Sequence, residues 1–156
     1  YVMSFLPPVL IIEARFYPEI ADALVSAAVK TLKAAGYNHE RLEVPGVFEL
    51  PAALTMVLSS GDAQTRNDTY SGIIAFGCVI RGETDHYDHV CRESSRALME
   101  ITTKHMLGFG FGVLTCENRA QAEIRASIDG KNKGGEAAEA CIRMMEIKRQ
   151  FRLKRE

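Results

Sequence analysis

Two periodicities alternate along the chain. Short, mostly apolar runs predict β-strands at residues 9–14, 41–44, 71–80 and 108–115. Elsewhere apolar residues recur every three or four positions, which predicts helices at residues 19–35, 50–60, 85–104, 118–126 and 134–152. Gly36 and Gly61 follow the first two helical segments, at the position where glycine commonly ends a helix. The alternation indicates βαβ units.

The predicted order of elements favours one small α/β fold. Parallel strands joined by helices form a sheet that is covered on both faces. We therefore expect a flavodoxin-like three-layer α/β/α sandwich with a four-stranded parallel sheet. Residues 62–69 are polar and typical of a loop. Because no repeat or linker interrupts the pattern, residues 1–156 are expected to form a single domain, with residues 1–8 as a flexible N-terminal tail.

The last predicted helix carries a regular apolar stripe. Ala137, Ala140, Met144, Ile147 and Phe151 recur at alternating steps of three and four residues. We expect this stripe to cover the sheet. Its spacing of about 3.5 residues also permits packing against a helix of another subunit, and the pattern leaves that alternative open.

Composition gives no electrostatic reason to expect some classes of partner. The chain is 47% hydrophobic and 25% charged, with a formal net charge of −1, so nothing favours nucleic acid or an anionic membrane surface as a partner. No apolar stretch approaches the ~20 residues of a membrane span. The scattered cysteines, described next, predict a cytoplasmic location.

The four cysteines are spread along the chain. Cys78, Cys91, Cys116 and Cys141 form no CxxC pair, and no histidine or cysteine lies at metal-ligand spacing, so we expect reduced thiols and no metal site. Cys78 lies near the end of the third strand. A catalytic thiol there is an alternative interpretation, although no neighbouring group in the sequence is placed to lower its pKa.

The most informative segment is the one that follows the third predicted strand. The apolar run ends at Ile80, and a polar loop then leads into a helix. Ligands of open α/β sheets bind beyond the carboxyl ends of strands. Gly82 is expected to supply an unusual backbone conformation, Thr84 a hydroxyl donor, and the helix start an anion site. The segment predicts a small-molecule site.

Asp85 and His86 open the predicted third helix. Asp85 is expected to cap it through its side chain. In the first turn the helix dipole disfavours imidazolium, which favours a neutral imidazole at His86 that can accept a proton. By position alone an exposed histidine without a role is an equally good interpretation.

Three further segments carry candidate groups. Residues 44–51 join a strand end, a turn and a helix start. This segment offers backbone donors and a carboxylate to a heterocycle, or it is an ordinary connection between the strand and the helix. Phe16 follows the first strand, where its ring would stack on a planar ligand or pack in the core. Arg125 and Lys133 flank the glycine-rich residues 130–135 and suit a phosphate clamp, or else are surface charges.

Taken together, these segments resemble one enzyme family. The motifs RFY, PGVFELP, GCVIRGETDHYDHV, FGFGVLTCEN and NKGGEAA occur in the order and spacing of lumazine synthases, over residues 14–151. The resemblance implies condensation of 5-amino-6-ribitylaminouracil with 3,4-dihydroxy-2-butanone 4-phosphate. The products are 6,7-dimethyl-8-ribityllumazine, phosphate and water, in the penultimate step of riboflavin biosynthesis. It also implies that no metal or redox cofactor is needed.

The resemblance assigns roles residue by residue. Phe16 would stack on the pyrimidine, and His86 would transfer protons with assistance from Lys133. Phe111 would close the stacking side from a neighbouring subunit. The remaining assignments are Val47, Phe48 and Glu49 for the ribityl chain and ring, Cys78, Val79 and Ile80 for the pocket wall, and Gly82, Glu83, Thr84 and Arg125 for the phosphate.

The resemblance also implies an assembly. Family members form pentamers with active sites at subunit interfaces, and some pack into shells of sixty subunits. Pro7 and Pro8 are poorly suited to adding a strand to a neighbour's sheet, so we expect a free pentamer, with a shell as the alternative. Tyr17 departs from the asparagine common in the family, which puts nearby polar contacts in doubt.

Two other functions compete with synthesis. One is a flavin- or lumazine-binding module that has lost the chemistry, although pure binding would not need His86, Arg125 and Lys133 together. The other is a different phosphosugar-processing enzyme on the same type of fold.

Overall fold

The computed structural model describes residues 6–60 and 69–153, with side chains as far as Phe151. A single turn of 3₁₀ helix, Val47–Glu49, directly precedes the second α-helix. The elements in chain order are β1 (Val9–Ala14), α1 (Pro18–Ala34), β2 (His39–Val44), α2 (Leu50–Ser59), β3 (Gly72–Ile80), α3 (His86–His105), β4 (Phe109–Cys116), α4 (Arg119–Ala126) and α5 (Lys133–Leu153).

The sheet has the order β2-β1-β3-β4, and all its pairings are parallel. One core cluster joins the sheet to α1, α4 and α5, and a second joins its other face to α2 and α3. The predicted three-layer α/β/α sandwich with four parallel strands is therefore confirmed. The topology also brings the segments after β1, β2 and β3 to one edge of the sheet, where a ligand site is expected.

At most of the helix and strand ends, the predicted boundary differs from the observed boundary by one residue. The largest difference is at β2, which begins at His39 rather than at residue 41. β2 is an edge strand, and its first residues are polar and only partly covered, so no apolar run marks the start. Gly36 has φ of 84°, which confirms the predicted end of α1.

Helix α5 turns a different face toward the sheet than its apolar stripe predicts. The buried residues include Ala137, Ala138, Cys141 and Met145. Of the predicted stripe, Ala140 is exposed, and Met144 and Phe151 are 44% and 58% exposed. The prediction that the whole stripe covers the sheet is wrong.

Close approach of α5 to β4 explains this orientation. A Cβ on Gly110 would lie 2.2 Å from the carbonyl oxygen of Ala137, and one on Gly108 would lie 2.4 Å from Cγ of Met145. The helix can come this near only where it presents small or flexible side chains. Gly108, just before β4, and Gly110 within it therefore select the face of α5 that carries Ala137, Cys141 and Met145.

Some predictions concern residues outside the described ranges. These are the loop at residues 62–68, Gly61 as a helix end, and residues 1–5 of the expected tail. Pro7 and Pro8 are described, and their carbonyl oxygens accept hydrogen bonds from the hydroxyl and the backbone N–H of Ser71.

Candidate active site

A cavity of about 550 Å³ opens beyond the carboxyl ends of β1, β2 and β3. Three chain segments and the first turns of α3 form its walls. The lining residues are Phe16, Tyr17, Pro45, Gly46, Val47, Phe48, Glu49, Cys78, Val79, Ile80, Gly82, Thr84, His86, Tyr87 and Val90. Most of the residues assigned from sequence thus lie together in one place.

The turn after β1 presents an aromatic ring to this cavity. Phe16 is 71% exposed, so it does not pack in the core. Its ring meets that of Tyr17 edge to face, with centroids 5.0 Å apart and planes at 73°. Tyr17 is half-buried against the core under α1, so it supports Phe16 from behind. An exposed, supported ring is suited to stacking on a planar ligand.

The turn after β2 offers backbone and one carboxylate. Val47 is buried, and a Cβ on Gly77 of β3 would lie 2.5 Å from its Cγ2, so β3 has a glycine where Val47 packs. Phe48 is 60% exposed, and Glu49 is exposed beside it. Val47 is therefore available to a ligand mainly through its backbone.

The loop after β3 differs from the sequence expectation in two respects. The φ of Gly82 is not in the left-handed region, and a Cβ there would meet no atom within 4 Å, so the expected unusual backbone conformation is wrong. Asp85 is the N-cap residue of α3 but makes no side-chain cap bond. Its ψ of 5° departs from the extended conformation of a capping residue, and its carboxylate instead lies 3.3 Å from Nε2 of His89.

Thr84, His86 and Glu83 are the other candidate residues at this loop. The hydroxyl oxygen of Thr84 accepts a long hydrogen bond of 3.4 Å from the backbone N–H of His86. His86 is exposed in the first turn of α3 and lines the cavity. Glu83 is exposed on the loop but does not line the cavity.

Sequence reasoning did not find Tyr87 and Val90. Both lie in the first turns of α3, and both line the cavity. Val90 follows His86 by four residues, and that spacing puts the two on one face of a helix. This was the available signal.

The thiol of Cys78 is protonated near neutral pH. Burial raises its pKa to about 12, and the neighbouring Cys116 thiol adds to the shift. A nucleophilic cysteine needs the thiolate. This environment argues against the catalytic-thiol interpretation and for a role in the cavity wall.

Phe111, Arg125 and Lys133 lie at a second cavity, of about 290 Å³. It is bounded by β4, α4 and α5, and it shares no lining residue with the first. Within one chain the structure therefore does not bring Arg125 to the loop at residues 82–84. Phe111 is 47% exposed here, another uncovered ring.

The start of α5 sets the position of Lys133. Asn132 adopts a left-handed φ of 46°, and its side-chain oxygen accepts a 3.2 Å hydrogen bond from the N–H of Gly135. Lys133 is the first residue of the helix, and its ammonium lies 2.8 Å from a carboxylate oxygen of Glu136. Arg125 donates a 3.1 Å hydrogen bond to the carbonyl oxygen of Gln121, so both cations stay near this cavity.

Within residues 6–60 and 69–153, no three histidine, cysteine, aspartate or glutamate side chains lie close enough together to hold a metal ion. In the same residues no helix has the length and apolar character to cross a membrane.

The sequence also matches a known protein family over most of its length. The sequence model described as 6,7-dimethyl-8-ribityllumazine synthase matches residues 7–149. A protein of that name from Paramagnetospirillum magneticum is 48% identical over 145 residues, which cover 93% of this chain and 97% of the relative. Those from Bartonella tribocorum and Agrobacterium fabrum are each 47% identical, over 93% of this chain and 92% and 97% of their own lengths. The matched residues include all those that line the two cavities. The chain therefore belongs to the 6,7-dimethyl-8-ribityllumazine synthase family.

Proposed function

We propose that this chain catalyses the condensation of 5-amino-6-ribitylaminouracil with 3,4-dihydroxy-2-butanone 4-phosphate. The products are 6,7-dimethyl-8-ribityllumazine, phosphate and water, as in the penultimate step of riboflavin biosynthesis. The observation that carries the proposal is the cavity beyond β1, β2 and β3 in a chain of this family. It joins exposed aromatic rings, a carboxylate, a helix N-terminus and an imidazole.

The pyrimidine substrate is assigned to the side formed by the first two turns. Phe16 stacks on the ring, since its own ring is exposed and supported by Tyr17. The backbone of Val47 and Phe48 and the carboxylate of Glu49 bind the ring edge and the ribityl hydroxyls. Hydroxyl groups suit a carboxylate acceptor, because such charge-assisted hydrogen bonds are short and strong.

The phosphate-bearing substrate is assigned to the loop at residues 82–84. The N-terminus of α3, a helix of 20 residues, follows it, and the helix dipole favours an anion there. His86 lies in the first turn and takes and returns protons during imine formation and phosphate elimination. Cys78, Val79 and Ile80 form the wall behind the reacting atoms.

Phe111, Arg125 and Lys133 are proposed to act on the cavity of a neighbouring subunit. An uncovered ring and two cations at a separate cavity are the groups that the first cavity lacks for a phosphate and for the open side of a ring. A homopentamer with shared sites would unite the two sets. We propose a free pentamer, with a shell of sixty subunits as the alternative, which light scattering would distinguish.

Orientation supplies a large part of the proposed rate enhancement. Holding two substrates in reacting geometry can be worth an effective molarity of ~10⁵ M or more. Proton transfer by His86 adds about 10²–10⁴-fold. The proposed unit is a single domain of residues 1–156, and a cytoplasmic location accords with its four free thiols.

One assay tests the reaction. The purified chain is mixed with both substrates, and the lumazine chromophore is followed against a reaction without protein. Accumulation of the chromophore above the uncatalysed rate supports the proposal. Tight binding of the pyrimidine or of the lumazine with no turnover would instead favour a binding module, and failure to bind either would overturn both.

A mixing experiment tests the shared site. One variant, Phe16→Ala/His86→Ala, damages the first cavity, and another, Arg125→Ala/Lys133→Ala, damages the second. Assembled from a 1:1 mixture, hybrids have about one interface in four with both halves intact. Activity well above that of either variant alone is expected. Activity equal to their average would contradict site sharing.

A further inference from the structure

Glu13 is an acidic residue in the core of the sheet. Among the side chains that the structure describes, it is the only charged one with no exposure, and it does not line either cavity. It lies on the central strand β1, three residues before Phe16. The other residues of β1 are apolar and equally buried, so a carboxylate there requires an explanation.

Two guanidinium groups satisfy this carboxylate. Arg41, on the edge strand β2, donates from Nε and from a terminal nitrogen at 2.7 Å each, in the bidentate arrangement. Arg15 donates from its NH1 nitrogen at 2.6 Å. Both carboxylate oxygens are therefore occupied, and the position of Arg15 is tied to the core.

Stability alone does not account for this cluster. Removing charges from water is costly, and well-packed apolar residues commonly stabilise a fold as much as a buried ion pair does. What an ion cluster adds is fixed geometry, because a guanidinium between carboxylates has few alternative positions. The relevant question is which part of the molecule Arg15 holds in place.

Arg15 connects both sides of the turn that carries Phe16. Its NH1 nitrogen also donates to a carboxylate oxygen of Asp22 on α1, at 2.9 Å. Its backbone N–H donates to the carbonyl oxygen of Val44, at 3.0 Å. The turn between β1 and α1 is thus bound to β1, to α1 and to the end of β2.

We propose that Glu13 and Arg15 are positioning residues for the pyrimidine substrate, because they fix the turn from which the exposed ring of Phe16 projects. This inference rests on the proposed function and deepens it. Phe16 is 71% exposed, so core packing does not determine its direction, and its backbone and Tyr17 must do so. A ring held in advance loses less entropy when a ligand stacks on it.

A double-mutant cycle tests this role. Calorimetry measures binding of 5-amino-6-ribitylaminouracil to the wild type, Arg15→Met, Phe16→Ala and the double variant. We expect Arg15→Met to raise Kd about tenfold in the wild type, and less than about twofold in the Phe16→Ala background. Effects that multiply in the double variant would overturn the proposal, since they would mean that Arg15 acts independently of Phe16.

Further variants separate positioning from general damage. Asp22→Ala removes the tie to α1 and leaves both arginines bound to Glu13, and it is expected to weaken pyrimidine binding in the same Phe16-dependent manner, even if Arg15→Met fails to fold. Arg143→Met is the matched control, because its exposed ion pair with Glu146 lies within α5. The control should leave Kd unchanged within about twofold. The KM for the butanone phosphate should also stay unchanged in Asp22→Ala; an equal rise in both constants would overturn the inference.

The wild type separates this inference from the proposed reaction. If the wild type binds the pyrimidine and the cycle shows the expected coupling, but no lumazine forms, the positioning role stands and the reaction fails. If it forms lumazine while the cycle shows independent effects, the reaction stands and the positioning role fails.

Discussion

The guanidinium carbon of Arg81 lies 4.3 Å from the centroid of the Tyr87 ring. Its Nε donates to a carboxylate oxygen of Glu117 at 2.9 Å, and its NH1 nitrogen lies 3.3 Å from a carboxylate oxygen of Asp88. Arg81 therefore joins the end of β3 to the first turn of α3 and to the residue after β4. These contacts hold both ends of the loop at residues 82–85.

Arg81→Met should weaken binding of the phosphate-bearing substrate. Loss of the ring contact and of two exposed ion pairs frees the loop, and we expect the KM of that substrate to rise about three- to tenfold. The free energy of unfolding should change by less than about 1 kcal/mol, since the pairs are exposed. Steady-state kinetics and urea denaturation measure the two quantities.

Arg96→Met is the control for this substitution. Arg96 also has two exposed ion pairs, with Glu93 and Glu100, but all three residues lie within α3. Its KM should match the wild type. A similar rise in both variants would mean that charge, and not the loop, is responsible.

His86→Ala should slow turnover without abolishing it. Proton transfer contributes about 10²–10⁴-fold, whereas the orientation of both substrates remains. We expect kcat to fall by that factor, with pyrimidine binding nearly unchanged. His105→Ala, at the other end of α3, is the control and should retain the wild-type kcat. Complete loss of activity in a folded, ligand-binding His86→Ala variant would refute the orientation-dominated mechanism.

Substitution by alanine should destabilise the fold at Gly110 but not at Gly82. At Gly110 the added methyl would meet the carbonyl oxygen of Ala137, and we expect a loss of about 1–3 kcal/mol in the free energy of unfolding. At Gly82 the methyl meets no protein atom, so stability should stay within about 0.5 kcal/mol. If the loop approaches phosphate as proposed, Gly82→Ala should raise the KM of that substrate. Equal stability losses would contradict the packing described for α5.

Glu13 should make the chain sensitive to acid. Burial raises the pKa of its carboxyl, but the hydrogen bonds from Arg41 and Arg15 outweigh burial and lower the pKa from 4.5. The folded state therefore takes up this proton less readily than the unfolded state. The resulting stabilisation is complete above about pH 4.5 and is lost as pH falls through the lower, folded-state pKa.

Glu13→Gln tests that sign. The difference in unfolding free energy between wild type and variant should be largest near pH 6 and should shrink in acid. Urea denaturation at pH 6 and pH 3.5 measures it. A difference that is constant between the two pH values would show that the carboxylate charge plays no part.

Local pattern predicted the element order, because apolar periodicity reports directly which residues a sheet and its helices bury. The pattern failed where the burial of a residue depends on a strand or helix that is distant in the sequence. The polar start of β2 at His39 pairs with the first residues of β1, and only the register reveals that pairing. The face of α5 is set by Gly108 and Gly110, far away in sequence.

The site was predictable to the extent that it follows strand ends. Phe16, Glu49 and His86 each follow a strand, and parallel topology brings them together. The side-chain cap expected from Asp85 depended on backbone angles that residue type does not determine. No local pattern indicated the Glu13 cluster, since Glu13 meets Arg41 across 28 residues.

Because Phe16 and Arg125 line different cavities of one chain, the proposed activity per chain would depend on the protein concentration. On dilution below the point at which subunits separate, the rate per chain would fall toward zero. Turnover would then serve as a check on assembly. A newly made chain would contribute nothing until it had met its neighbours.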